Sequence, residues 1–135
     1  MSSRDSSTKT RRNAAVEPGL KGRRILVVED SPVVGPFTVD ILAELGCDVV
    51  GPAPNMAAAR QFVEAGALDA ALMDIHIRGE RVFPICELLE ARKIPFVFTS
   101  GYADWAMPEK WEHRPRLQKP YTTVQVEKAL KALFD

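Results

Sequence analysis

Hydrophobic residues fall in short continuous runs along this chain, and polar residues follow each run directly. The clearest runs are at residues 25–28, 70–73 and 96–98. A short uninterrupted apolar run is typical of a parallel strand that is buried on both faces. The predicted strands are residues 24–29, 47–51, 69–74, 94–99 and 116–118.

Between these runs, apolar residues recur every three or four positions, which indicates amphipathic helices. In the first helix, Val34, Phe37, Ile41 and Leu45 are expected to form the buried stripe. Ser, Asn and Thr are favoured as N-caps, and Gly is favoured at helix ends. The predicted helices run from Ser31 to Gly46, from Asn55 to Gly66, over about residues 81–92, and from Thr122 or Thr123.

The alternation of strand and helix predicts an α/β fold of five βα units, with helices on both faces of a doubly wound, five-stranded parallel sheet. The fourth helix is the least regular part of this prediction. It falls within residues 101–115, which Pro108 and Pro115 interrupt, so we expect it to be short, irregular or mobile. Trp105 and Trp111 in this segment are expected either to pack locally or to form a partner-binding patch.

Charge divides the chain into two parts although the net charge is zero. Residues 1–24 carry seven basic and two acidic side chains. The remaining residues carry eleven basic and sixteen acidic side chains. We predict a disordered basic tail at residues 1–22 and one folded domain at residues 23–135. The acidic character of the folded part argues against direct binding to DNA.

Other features of the composition exclude several classes of protein. The chain has no apolar run long enough to span a membrane and no apolar segment near its start that resembles a secretory signal. Its two cysteines, Cys47 and Cys86, lack the spacing of metal ligands and are expected to serve as small apolar residues. These features favour a reducing compartment, and we expect a cytoplasmic protein.

The polar residues at the strand ends are the candidates for chemistry. Glu29 and Asp30 end the first strand, Asp74 ends the third, Ser100 follows the fourth and Lys119 follows the fifth. The carboxyl ends of parallel strands meet at one edge of the sheet, so we expect these side chains to lie together. Taken singly, each has an ordinary alternative: a carboxylate that caps the next helix, a solvated loop lysine, or a serine bonded to local backbone.

Such a group of residues suits a site for a phosphoryl group and a metal ion. Three carboxylates in one place repel one another, and a hard divalent cation with oxygen ligands relieves the repulsion. Mg²⁺ fits a site with few carboxylates, several waters and a phosphate. Lys119 would supply a positive charge to the phosphoryl oxygens, and Ser100 would supply a hydroxyl donor.

The order of these motifs resembles the receiver domain of response regulators, over about residues 22–135. The stretch from Pro95 to Tyr102 is further similar to the PFxFATGY subclass of receivers. The resemblance implies a flavodoxin-like (βα)5 fold that accepts a phosphoryl group on Asp74. It also implies Mg²⁺ ligation by Asp30, Asp74 and the backbone carbonyl of His76, with Glu29 acting through water.

The same resemblance implies a set of partners. Receivers of this subclass are usually single domains paired with sensor histidine kinases, often of the HWE type. We expect a downstream protein partner or phosphotransfer protein, output through the face around residues 100–121, and a monomer or weak homodimer. The domain would catalyse only its own phosphorylation and dephosphorylation. The alternative is a pseudo-receiver binding module, or a phosphate sink without its own output.

Two positions depart from the pattern of the receiver family, and a third argues against a class of phosphohydrolases. Arg78 stands before Gly79 where proline is usual, and Arg116 stands where many receivers carry an aromatic switch residue. Tyr102 is a different aromatic that could take over part of that role. A phosphohydrolase of the haloacid-dehalogenase type would need a second Asp at the position of His76, which argues against that class.

Overall fold

Five parallel strands form the central sheet of the computed structural model, which describes residues 19–101 and 107–135. The sheet order is β2-β1-β3-β6-β7, which confirms the doubly wound prediction. The remaining two strands, β4 and β5, pair with each other as a short antiparallel hairpin. The strands are β1 (Arg24–Val28), β2 (Asp48–Ala53), β3 (Ala70–Asp74), β4 (His76–Ile77), β5 (Glu80–Arg81), β6 (Phe96–Ser100) and β7 (Arg116–Gln118).

Helices cover both faces of the sheet. Because side chains alternate along a strand, Ile25 and Val27 of β1 belong to one buried cluster, whereas Leu26 and Val28 belong to the other. Both clusters are apolar, which explains why the strands appear in the sequence as continuous hydrophobic runs. The helices are α1 (Val34–Glu44), α2 (Met56–Ala65), α3 (Phe83–Ala91) and α4 (Thr123–Leu133).

Side-chain caps fix where the helices begin. The Ser31 Oγ accepts hydrogen bonds from the N–H groups of Val33 and Val34 at 3.2 and 3.0 Å, so it caps the turn that leads into α1. The Asn55 Oδ1 accepts from the Ala58 N–H at 2.8 Å, which confirms that cap. Of the two candidate threonines, Thr122 caps α4 through a reciprocal capping box with Gln125.

The predicted buried stripe of α1 is wrong at Phe37, which is 47% exposed. Thr38 takes the inward position instead. Its hydroxyl donates to the Val34 carbonyl at 2.8 Å and lies 2.6 Å from the hydroxyl of Tyr121. A buried polar pair that satisfies itself can replace an apolar contact, and spacing along the helix does not reveal this.

Two loops also differ from the prediction. Strand β2 continues through Gly51 to Ala53, because Gly51 adopts a φ of 96° that keeps the chain beside β1. A Cβ at Gly51 would lie 2.7 Å from the backbone nitrogen of Ala53 and 2.8 Å from the carbonyl oxygen of Val27. The β4–β5 hairpin was not predicted, and it delays the start of α3 from residue 81 to Phe83.

The segment at residues 107–115 is better packed than its two prolines suggest. It forms turns rather than a regular helix, and Trp111 within it is only 3% exposed. The Trp111 ring stacks on Phe83 at 6.5 Å and contacts Phe96 at 5.9 Å between ring centroids. For Trp111 the structure therefore supports the packing alternative. Tyr102 and Trp105 lie outside the described residues.

Ion pairs hold the same segment to α3. The Lys110 Nζ lies 2.9 Å from Glu87 and 3.4 Å from Glu90, and the Arg114 guanidinium lies 2.7 Å from Glu90. The Arg114 guanidinium also lies over the rings of Phe96 and Trp111. Residues 107–115 are therefore irregular, as expected, but they are packed against α3 and β6.

The folded domain starts earlier than the predicted residue 23. Leu20 is 1% exposed and belongs to the cluster beneath α1 and α4. The Gly22 N–H donates to the Gly46 carbonyl at 2.8 Å. The rest of the predicted tail lies outside the described residues. Among the residues that the structure describes, none of the helices is long and apolar enough to cross a membrane.

Candidate functional site

Three carboxylates meet at the carboxyl edge of the sheet. Glu29 and Asp30 follow β1, and Asp74 ends the neighbouring strand β3. One oxygen from each of the three lies within 4.8 Å of the others. The strand order reverses between β1 and β3, and ligands of open α/β sheets bind at such a switch point. The sequence prediction that these acids lie together is confirmed.

Lys119 joins two of the carboxylates. Its Nζ lies 2.7 Å from the Asp74 Oδ2 and 2.8 Å from the Glu29 Oε1. The side chains of Glu29 and Asp74 are 3% and 11% exposed, so this contact is largely shielded from water. One ammonium group cannot balance three carboxylates, and the donor set is all oxygen, so the residues present fit a hard divalent cation such as Mg²⁺.

Burial and pairing act on the charges of this site. Burial raises the pKa of the Glu29 carboxyl, and the hydrogen bonds from Lys119 and the Ser31 N–H oppose this only in part. Burial alone would lower the pKa of Lys119, but its hydrogen bonds to Asp74 and Glu29 outweigh burial and raise that pKa. Lys119 is therefore held as an ammonium, and further positive charge beside Glu29 would be favourable.

Backbone groups orient the remaining carboxylate oxygens. The His76 N–H donates to the Asp74 Oδ1 at 3.2 Å, and the Arg78 N–H donates to the Asp30 Oδ2 at 2.8 Å. His76 is half-buried in β4, directly after the site. Its carbonyl remains a predicted metal ligand.

Ser100 lies at the same edge of the sheet. It is buried and is the last residue of β6, one position after Thr99, which pairs with Asp74 in the ladder between β3 and β6. The Ser100 carbonyl accepts a hydrogen bond from the Lys119 N–H at 2.8 Å. This hydrogen bond ties the backbone of Ser100, the predicted hydroxyl donor, to the backbone of Lys119.

An apolar cavity beside the site was missed from the sequence. It has a volume of about 290 Å³ and is lined by Val34, Phe37, Lys119, Pro120 and Tyr121. The exposed ring of Phe37 is the signal that could have revealed it, but helical spacing placed that ring in the core. Lys119 therefore lies both in the carboxylate cluster and in the wall of this cavity.

Solved structures show what this fold and site resemble. No family model and no curated protein sequence matches the chain. The solution structure of SdrG from Sphingomonas melonis Fr1 is 42% identical, with a TM-score of 0.78, over 84% of this chain and 98% of that chain. The BeF3-activated conformation of SdrG, from Pseudomonas melonis Fr1, is also 42% identical, with a TM-score of 0.72, over 83% and 96% of the two chains.

A more distant structure shares the fold alone. It is the receiver domain of the sensor histidine kinase PA1611 from Pseudomonas aeruginosa PAO1, with a magnesium ion coordinated in its active-site cleft. It is 23% identical, with a TM-score of 0.74, over 84% of this chain and 99% of that chain. The fold and the site define a signalling receiver, and this chain belongs to the family of response-regulator receiver domains. Within that family it is similar to SdrG over nearly the whole of the SdrG structure.

Proposed function

We propose that this receiver domain accepts a phosphoryl group on Asp74 from a sensor histidine kinase and signals through protein contacts. The observation that carries the proposal is the 2.7 Å contact between the Lys119 Nζ and the Asp74 Oδ2. A lysine in this position can pair with the oxygens of a phosphoryl group attached to Asp74, so its charge is already in place before transfer. The kinase would be of the HWE type that the sequence resemblance implies.

Transfer requires one bond to form as another breaks. A carboxylate oxygen of Asp74 attacks phosphorus, and the nitrogen–phosphorus bond of the kinase phosphohistidine breaks. The electron pair of that bond stays on the imidazole nitrogen, which then takes up a proton. The His76 N–H holds the second Asp74 oxygen and so limits rotation of the carboxylate. Ser100 is proposed to donate its hydroxyl to the transferred group.

Asp30, Asp74 and the His76 carbonyl would hold Mg²⁺, with Glu29 acting through water. When bound, the ion would neutralise charge on the carboxylates and on the phosphoryl oxygens. Lys119 would remain bonded to Glu29 while it shifts toward the new phosphoryl oxygens, because its Nζ already contacts both side chains.

Phosphorylation without a kinase tests this function directly. Incubation with acetyl phosphate and Mg²⁺ should add one phosphoryl group, which intact-protein mass spectrometry detects. The group should be stable in acid and labile in base, as expected of an acyl phosphate. A protein that takes no phosphoryl group from acetyl phosphate, phosphoramidate or any histidine kinase would contradict the proposal.

Mg²⁺ is expected to stabilise the folded protein. A ligand that binds only the folded state at ten times its Kd contributes about 1.4 kcal/mol, which raises the Tm of a domain of this size by roughly 5 °C. Asp30→Asn should reduce this response, while leaving the Tm in EDTA unchanged or higher because one like charge is removed. Thermal scans across a Mg²⁺ series measure both effects.

Asp40→Asn is the matched control for this measurement, because Asp40 is exposed on α1. It should respond to Mg²⁺ like the wild type. A wild-type Tm that does not change up to millimolar Mg²⁺ would argue against a working metal site.

An exposed apolar surface beside the site supports docking of the kinase. Val33, Phe37 and Val124 are large apolar residues that face solvent, and Phe37 lines the cavity next to Lys119. Phe37, Pro120 and Tyr121 line one cavity there, and contiguous apolar surface of this kind commonly marks an interaction site. We propose that the helical domain bearing the kinase phosphohistidine rests here, which places its imidazole beside Asp74.

Phe37→Ala tests the docking surface. If Phe37 is a hot spot of this interface, its truncation costs about 2 kcal/mol, so phosphotransfer from the kinase at subsaturating concentration should slow by roughly thirtyfold. Labelling by acetyl phosphate should not change, since the substitution leaves the Asp74 carboxylate and its partner Lys119 in place. Arg60→Ala on the exposed face of α2 is the control. Equal slowing with kinase and with acetyl phosphate would place the defect in the site instead.

A further inference from the structure

The turn of the β4–β5 hairpin contains a backbone conformation that side chains rarely adopt. Arg78 and Gly79 form this two-residue turn, with φ values of 52° and 81°. Positive φ at both positions is the geometry of a type I′ turn, which favours Asn or Gly. Arg78 is therefore held in a conformation that it does not prefer, directly beside the carboxylate site.

Two hydrogen bonds of Arg78 reach across to other loops of the site. Its N–H donates to the Asp30 Oδ2 at 2.8 Å, and its Nε donates to the Pro54 carbonyl at 3.1 Å. The first bond joins the loop after β3 to the loop after β1. The second joins the hairpin to the loop after β2. One residue therefore ties three loops together at the carboxyl edge of the sheet.

The bond to Asp30 excludes proline at position 78. Proline has no backbone N–H and cannot adopt a φ of 52°, so a proline here could neither donate to Asp30 nor form this turn. Arginine provides the N–H and, through its side chain, a contact that fixes the position of the turn. The bond occupies one oxygen of Asp30 and leaves the other available to a cation.

We infer that Arg78 is a positioning residue for cation binding: it orients the Asp30 carboxylate through its backbone N–H, and its guanidinium anchors the hairpin to the Pro54 carbonyl. The inference rests on the proposed Mg²⁺ site. Groups that orient a metal ligand from outside the coordination sphere commonly change metal affinity by about 10- to 100-fold. The cation would be a hard divalent ion, since only oxygen ligands converge here.

Arg78→Gly distinguishes the positioning role from a purely structural role of the turn and from a purely electrostatic effect of the guanidinium. Glycine accepts the positive φ, so a turn of merely structural importance would fold as well or better. Loss of a nearby positive charge would by itself strengthen cation binding. The inference predicts the opposite, a Mg²⁺ Kd raised by about tenfold, because the anchor that holds the turn and its N–H is lost.

Isothermal titration calorimetry with Mg²⁺ alone measures the Kd, and thermal scans in EDTA report on folding. Arg78→Lys retains the charge but lacks the planar Nε–H donor, so it should bind Mg²⁺ about as weakly as Arg78→Gly. Amide exchange followed by NMR gives a third readout. In EDTA the residue 78 N–H should exchange slowly in the wild type and quickly in Asp30→Ala.

The outcomes separate the two proposals. If the wild type does not bind Mg²⁺, the metal site itself fails. If the wild type binds and Arg78→Gly binds equally or more tightly, the metal site stands and the positioning role of Arg78 is overturned. A residue 78 N–H that exchanges equally fast with and without the Asp30 carboxylate would also overturn it.

Discussion

Asp74→Asn is expected to abolish phosphoryl incorporation from both acetyl phosphate and a histidine kinase. The neutral amide of Asn is not a nucleophile for phosphoryl transfer. The Asp74 Oδ2, which Lys119 contacts at 2.7 Å, is also no longer a charged carboxylate oxygen. The expected change is complete rather than partial, because general positioning by the rest of the site cannot replace the accepting atom. Intact mass spectrometry before and after base treatment measures incorporation.

Two controls make this experiment specific. Asp40→Asn removes an exposed carboxylate from α1 and should be phosphorylated like the wild type. Circular dichroism should show that Asp74→Asn is folded, since the substitution keeps the side-chain volume and reduces repulsion among the three acids. Incorporation that persists in both Asp74→Asn and Asp74→Ala would show that the phosphoacceptor lies elsewhere.

The site was largely predictable because its signals are local. Each apolar run marks a buried strand, and the residue after it must lie at the carboxyl edge of the sheet. Glu29, Asp30, Asp74 and Lys119 could therefore be placed together without knowledge of their contacts. Which oxygen contacts which donor depends on side-chain geometry, which the sequence pattern does not contain.

The errors have tertiary causes. Helical spacing predicts a buried stripe on α1 but cannot show that Thr38 bonds to Tyr121, in the distant loop before α4, and leaves Phe37 outside. The β4–β5 hairpin depends on a positive φ at Arg78, which no propensity favours for arginine. In both cases a polar contact between distant segments outweighs a local preference. Both departures lie beside the site, where local and global preferences most often conflict.

The packing of residues 107–115 bears on the position of Lys119. Trp111 anchors this segment against α3 and β6, and β7 with its following Lys119 comes directly after it. The Phe98 N–H donates to the Pro115 carbonyl at 3.0 Å, and the Lys119 N–H donates to the Ser100 carbonyl at 2.8 Å. The lysine therefore stands at the end of an edge strand whose two ends are both hydrogen-bonded to β6.

Trp111→Ala is expected to lower the free energy of unfolding by about 3–5 kcal/mol, the usual cost of truncating a buried Trp. The physical reason is the cavity left between Phe83 and Phe96, whose ring centroids lie 6.5 and 5.9 Å from that of Trp111. Urea denaturation followed by circular dichroism measures the loss, which should appear as a lower midpoint with an unchanged m-value. Trp111→Phe should recover much of the stability because it refills part of the cavity.

Lys110→Ala separates packing from charge in the same segment. It removes the ion pairs to Glu87 and Glu90 but leaves the aromatic cluster intact. Because this lysine is exposed, water and salt screen its ion pairs, and the loss should be much smaller than for Trp111→Ala. Equal losses for the two variants would mean that charge rather than ring burial holds the segment. A Trp111→Ala protein as stable as the wild type would mean that residues 107–115 are not packed on α3 in solution.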